Sequence, residues 1–199
     1  RSSAASDVYK RQEDYHPPGK STDTRPLTKE ETTDYKSVLM KVRWPVARVV
    51  PELAYSVSAL AQGDKYTCEH AHNLKKLLVR LRELRAHGRT RIRIVGIDLK
   101  ELAVVTVMDA SFSNELGRKS QFGFFNVATS DAVSLSEVLC TTIEFESKTI
   151  FRVVRSTMAA ESASLSTALD RHLFLRLLFE TLLYGQPDLV RNWRMHLKL

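Results

Sequence analysis

A run of β-branched residues, Val104-Val105-Thr106-Val107, passes through Met108 into one carboxylate and two small residues, Asp109-Ala110-Ser111, and then Phe112. Nothing else in the chain constrains the fold so tightly. β-Branched side chains lose rotamer freedom in a helix and pack well on a pleated surface, so the run predicts a buried strand over about 103–109. A carboxylate at the end of such a strand is costly to desolvate unless it is paired or holds a cation. After Asp109-Ala110-Ser111 the expected hairpin loop gives way to Arg118-Lys119-Ser120-Gln121-Phe122-Gly123-Phe124-Phe125, a second strand over about 120–128. A third strand is predicted near 139–146, ending in Ile143-Glu144-Phe145-Glu146-Ser147-Lys148. Then Arg155-Ser156-Thr157-Met158-Ala159-Ala160-Glu161-Ser162-Ala163 opens a helix carrying Glu161 near its start. It continues through Leu165, Leu169, Leu173 and Leu177 to about Tyr184, where Gly185-Gln186-Pro187 stops it.

Upstream the pattern is helical. Residues 13–27 are polar and contain Pro17-Pro18-Gly19, the composition of a linker or disordered arm. Thr28-Lys29-Glu30-Glu31 is a capping box, with Thr28 as the cap and Glu31 reaching back. The helix it starts passes Tyr35, Val38 and Leu39, and Pro45 is expected to end or kink it. Pro51 opens a second helix, with Leu53, Val57 and Leu60 on one face. A third, from about Cys68 to Ala86, carries the stripe Leu74, Leu77, Leu78, Leu81 and Leu84. Lys75, Lys76 and Arg80 lie mostly off that stripe. Next, Arg89-Thr90-Arg91-Ile92-Arg93-Ile94 alternates basic and apolar residues as a half-buried strand would. Cys68, His70 and His72 suggest a metal site, but residues two apart on a helix point about 200° apart. A helix start with two surface histidines is the plainer reading.

These segments, in this order, resemble copia-type retrotransposon polyproteins. The RNase H portion of that family carries an Asp-Ala-(Asp/Ser)-Phe strand, an Arg-Lys-Ser before a glycine-containing strand, an aromatic strand ending Ser-Lys, and Ser-Thr-x-x-Ala-Glu on a helix. Here these read Asp109-Ala110-Ser111-Phe112, Arg118-Lys119-Ser120, Phe145-Glu146-Ser147-Lys148 and Ser156-Thr157-Met158-Ala159-Ala160-Glu161. The helical segment between polymerase and RNase H is matched by Leu27-Thr28-Lys29-Glu30-Glu31, Tyr35-Lys36-Ser37-Val38-Leu39, Val50-Pro51-Glu52-Leu53-Ala54-Tyr55-Ser56-Val57-Ser58 and Glu69-His70. Val50 departs from the family's usual Arg, and the loop Ser130–Glu137 is longer than typical.

The resemblance implies an α/β fold: a ribonuclease H-like mixed sheet, truncated to its first three strands and long helix, preceded by a small helical segment. It divides the chain into a helical connection at 28–90 and a partial RNase H-like domain at 91–199. Residues 1–12 read as translated cloning adapter, and the chain as an internal piece of a longer reading frame. The implied activity is metal-dependent hydrolysis of the RNA strand of RNA/DNA hybrids. Asp109 and Glu161 would be the catalytic carboxylates holding Mg2+ or Mn2+, because hard cations take oxygen ligands. Ser111 would lie near the substrate backbone. At least two further family acids would fall downstream, leaving the two-metal site incomplete. Asp170 does not substitute: nine helical residues from Glu161 put it on the opposite face, about 13 Å along the axis. Asp188 follows the helix-ending Pro187, and Glu144 and Glu146 read as surface residues.

Charge agrees with a polyanionic partner. The chain has a formal net charge of +7, and Lys75, Lys76, Arg80, Arg91 and Arg93 are the candidate contacts to nucleic acid. The implied partners are an RNA/DNA hybrid and the rest of the polyprotein. With no apolar run near the ~20 residues of a membrane span, no membrane is expected. Two cysteines form no disulfide framework and suggest a reducing compartment, cytoplasmic (a virus-like particle in the parent element) or nuclear. The alternative function is a decayed, non-catalytic remnant that binds nucleic acid through its basic surface.

Overall fold

In a computed structural model the described residues are 15–63, 65–98, 101–115, 119–130, 139–151 and 154–185, with the backbone alone for 113–115. The adapter-like 1–12, Arg118, the long loop after Ser130, and Asp188 lie outside them.

Helix α1 spans Lys29–Val49, a 3-10 turn Pro51–Leu53 leads into α2 (Ala54–Leu60), and α3 spans Cys68–Ala86. The capping box at the start of α1 forms as the residue types require: the Thr28 hydroxyl accepts from the Glu31 N–H, and the Glu31 carboxylate accepts from the Thr28 N–H at 2.8 Å. Arg25 then donates to both Glu31 oxygens at 3.0 Å, a two-pronged pair that holds the Glu31 carboxyl down to about 2. Tyr35, Leu39, Val42 and Val46 are the buried stripe of α1. They meet Leu53, Val57 and Leu60 and the five leucines of α3 in one continuous core. At its centre the Tyr35 hydroxyl donates to the Leu60 carbonyl at 2.8 Å, and burial pushes this phenol far above its ordinary pKa.

Pro45, expected to end or kink α1, does not end it: the helix continues for another turn to Val49. The bond forfeited by the missing N–H is outweighed by Val42 and Val46, fully buried on either side of it. The stretch from Tyr15 to Leu27 is no free arm either. Tyr15 is buried, Pro26 bridges to Thr67, the Leu27 N–H donates to the Tyr66 carbonyl, and the Cys68 N–H donates to the Arg25 carbonyl. Gly19, at φ 70°, lets the chain turn so close to Cys68 that a Cβ would come within 2.9 Å of its sulfur.

Residues 92–98 have no regular structure, so the alternating Arg89–Ile94 segment is not a strand; Ile94 is 83% exposed. Alternation gives a strand only where a neighbour pairs with it; the segment is instead tied by the Arg89–Glu52 ion pair at its start and by the Val95 N–H, which donates to the Thr141 hydroxyl at 2.8 Å.

Three strands follow, β1 (Ala103–Glu115), β2 (Lys119–Thr129) and β3 (Cys140–Thr149), then α4 (Thr157–Tyr184). The sheet is antiparallel throughout in the order β1-β2-β3, where a mixed sheet was expected. Successive side chains alternate between faces. Phe122 and Phe124 of β2 form a cluster with Ala160 and Ala168 of α4, against which Met108, Ala110 and Phe112 of β1 also pack. Helix α4 therefore covers that face. Ser156 caps it by accepting from the Ala159 N–H at 3.1 Å, and small residues early in the helix (Ala160, Ser164, Ala168) let it lie close to the strands. The other face turns toward the helical half, with Phe125 stacked on Phe145 and Gln62 donating to Gln121 at 2.9 Å. Among the described helices none is long and apolar enough to cross a membrane.

Candidate functional site

Asp109 does not end its strand. β1 runs on to Glu115, and Asp109 stands opposite Gly123 in the ladder. Pairing with β2 holds the strand together beyond the β-branched run, so Ala110 and Ser111 stay extended instead of opening a loop. Since Met108 and Ala110 face α4, the pleat sends the Asp109 side chain to the opposite face. The residue is exposed, and its Oδ1 turns back to accept from the Ala110 N–H at 2.8 Å. Ser111, opposite Gln121, shares that face and is half-buried.

Glu161 sits in the second turn of α4, half-buried beside the fully buried Ala160. The elements carrying the two acids touch directly: the Ser164 hydroxyl, one turn after Glu161 and itself buried, donates to the backbone carbonyl of Asp109 at 3.0 Å. The backbones are thus locked together while the Asp109 carboxylate leaves from the far side of the sheet. No group of three or more His, Cys, Asp or Glu side chains capable of holding a metal occurs among the described residues. One carboxylate on each side of a sheet does not fit a two-metal centre, which needs several oxygens converging on ions about 4 Å apart.

Glu144 and Glu146 are engaged in structural pairs. Glu146 pairs with Lys148 at 2.6 Å, and Glu144 lies 3.8 Å from Arg171, tying β3 to α4. Asp170 is exposed on α4. At the start of α3, the His70 Nδ1 accepts from the Thr67 N–H, the His72 Nδ1 is 3.0 Å from the Cys68 carbonyl, and the Cys68 thiol is buried. Both cysteines are free.

The five basic candidates separate into three situations. Lys75 is half-buried and donates to the Tyr15 carbonyl at 2.9 Å, so it fastens the N-terminal stretch to α3. Arg80 is exposed but pairs with Glu83 at 2.9 Å. Lys76, Arg91 and Arg93 are exposed, the two arginines on the irregular segment after α3.

Sequence reasoning missed a polar network beneath α4. Asn126, fully buried on β2, accepts from the Thr106 hydroxyl at 2.5 Å, and that hydroxyl lies 2.8 Å from His172 Nδ1. Its signal was an Asn within an apolar strand, which only pairing partners on β1 and α4 turn into a network. No family model, no curated protein and no solved structure matches this chain.

Proposed function

We propose that the chain is a piece of a copia-type retrotransposon polyprotein, comprising the helical connection and the first part of an RNase H domain. The parent activity would be hydrolysis of the RNA strand in RNA/DNA hybrids. Beyond the order of the motifs, one observation carries this reading. The strand bearing Asp109 and the helix bearing Glu161 pack directly on each other, joined at Asp109 itself by the Ser164 hydroxyl. The contact sets the two motif-bearing segments side by side through the Asp109 backbone. In this reading β1 is an interior strand of a larger sheet, and further acids come from sequence beyond Leu199. The chain by itself is then expected not to cleave.

The test has two parts. Sequencing the parent transcript past Leu199 is expected to reveal an apolar strand ending in Asp and a later helix with another acid; neutral residues there would remove the enzymatic reading. Incubating the full chain with a labelled hybrid and Mg2+ or Mn2+ is expected to give no product. Cleavage abolished by Asp109→Asn would instead show that this piece is complete.

The orientation of Asp109, turned from α4, favours a second reading: a non-catalytic remnant that holds nucleic acid through exposed cations such as Lys76, Arg91 and Arg93. Binding would then weaken steeply with salt and be indifferent to Asp109→Asn.

A further inference from the structure

Beneath α4 a row of polar side chains crosses the sheet. Thr106, Asn126 and Glu144 stand opposite one another on β1, β2 and β3. Successive residues of α4 reach the two ends of the row: His172 Nδ1 lies 2.8 Å from the Thr106 hydroxyl, and Arg171 lies 3.8 Å from Glu144. In the middle, Asn126 is fully buried. Its Oδ1 accepts from the Thr106 hydroxyl at 2.5 Å, and its Nδ2 has no partner among the described residues. A buried amide with an idle donor calls for a reason. Proton counting supplies one. A hydroxyl has one proton. Thr106 gives it to Asn126, so towards His172 it can only accept, and His172 Nδ1 must carry a proton and donate. Asn126 Nδ2 is then left on the side away from Thr106, towards the strand that carries Glu144. Every donor in the row points from the imidazole towards the carboxylate, the order that a positive charge on His172 and a negative one on Glu144 both favour. Turning the amide over would set its oxygen towards the carboxylate.

We infer that His172 is a proton-operated latch: its imidazolium, acting through Thr106 and Asn126, seats α4 on the sheet, and loss of its proton loosens that seat. His172 is only half-buried, so protons from solvent reach it. Its charged surroundings suit the cation. Of the two acids on β1, Asp109 points to the other face and Glu115 lies at the far end, opposite Lys119 of β2. β3 brings Glu144, while Glu146 is taken by Lys148. On α4, Arg176 is matched by Glu180 at 3.3 Å, and Asp170 is exposed. With the imidazolium in place the bond to Thr106 is charge-assisted, roughly twice as strong as a neutral one. A neutral imidazole has a single N–H. If it sits on Nε2, Nδ1 turns acceptor, draws the Thr106 proton and leaves the buried Asn126 oxygen without its donor; if it sits on Nδ1, the bond survives without the charge. The inference goes beyond the proposed function and does not depend on it, since it involves neither Asp109 nor Glu161 as a chemical group and holds whatever the chain binds.

Urea unfolding of the full chain at about pH 5.5 and about pH 8.5, on either side of the ordinary histidine value of about 6.5, tests it. A proton held more tightly by the folded state stabilises it fully below that ordinary value, and the contribution is lost as the pH rises through the higher folded value. His172 should therefore raise the unfolding constant of the parent chain by about three- to tenfold across this span. His172→Gln is expected to remove that share of the rise. Thr106→Val, which keeps the branched shape and loses the hydroxyl, should remove the same share, and the double variant no more than either. Glu144→Gln, at the other end of the row, should remove part of it. The other histidines contribute to every variant alike and cancel in the differences. The inference is overturned if His172→Gln leaves the rise intact, or makes it steeper, the sign of an imidazole held neutral. It is equally overturned if Thr106→Val keeps what His172→Gln removes. Should Thr106→Val not fold, His172→Gln and Glu144→Gln decide between the same outcomes. Because no substrate enters the measurement, failure of the RNase H reading leaves the result untouched.

Discussion

The helical half and the sheet half close their cores to different degrees. Among the described residues, the first has sixteen buried side chains in one cluster that runs from Tyr15 to Leu84. The equivalent cluster in the second has five buried members, and α4 leaves Leu165, Leu169, Leu173, Phe174, Leu178 and Leu182 at 40–70% exposure. The strands differ likewise. β2 is buried along most of its length, whereas β1 carries Val107 at 61% exposure and, among the described residues, has no neighbouring strand on its outer side. Arg171 reaches β3 and His172 reaches β1, so the His172 side of α4 overhangs the open edge. Leu165, seven residues earlier, lies on that side. An open strand edge beside exposed apolar side chains offers unpaired backbone groups to another strand. The helical half closes one continuous core; the sheet half leaves most of the apolar flank of α4 outside its own.

That contrast can be tested residue by residue. Leu81→Ala, at the centre of the helical core, is expected to cost about 2–5 kcal/mol by chemical denaturation, while Leu169→Ala on α4 should stay within about 0.5 kcal/mol. Equal losses would mean that the α4 flank is covered in solution and the contrast is false. A smaller effect is expected at the capping box. Thr28→Ala should lower stability by about 1 kcal/mol. Glu31 adds a pH dependence whose sign follows from its partners. Arg25 and the Thr28 N–H hold its carboxyl down to about 2, below the ordinary 4.5, so its contribution is present above that ordinary value and lost as the pH falls toward 2. Circular dichroism through this window should show the helical half weakening, and Glu31→Gln should flatten the curve. The smallest effect on stability belongs to Val107→Lys on the open edge. It should leave the unfolding midpoint unchanged yet reduce self-association in sedimentation, because a charged edge strand resists pairing with another chain. Were the parent chain already free of concentration-dependent association, the edge would not be exposed in the way described.

Helices were legible because their signals are local. The leucine stripe of α3 and the capping box of Thr28 and Glu31 each depend on residues within a turn or two. Strand existence was equally legible, since β-branched and aromatic runs have few other uses. What the sequence misjudged were features set by distant partners. Pro45 stays inside α1 because Val42 and Val46 are anchored in the core. Arg89–Ile94 has the alternation of a strand and lacks a neighbour to pair with. β1 outruns its β-branched stretch because β2 supplies the ladder.

The candidate site divides along the same line. Composition and spacing determined that a lone acid would lie on a strand, that another would sit early in a long helix, and that the surface would be basic. Which way Asp109 points was a tertiary outcome: a shift of one residue in strand register exchanges the two faces of a sheet, and no local signal specifies it. Packing of Met108 and Ala110 under α4 settles that parity and turns the carboxylate away. Lys75 was likewise diverted from solvent by a carbonyl sixty residues upstream, on Tyr15. Local sequence determines what each segment can be, because propensity acts over a few bonds; only packing decides which side chains meet, because burial is shared among segments far apart in the chain.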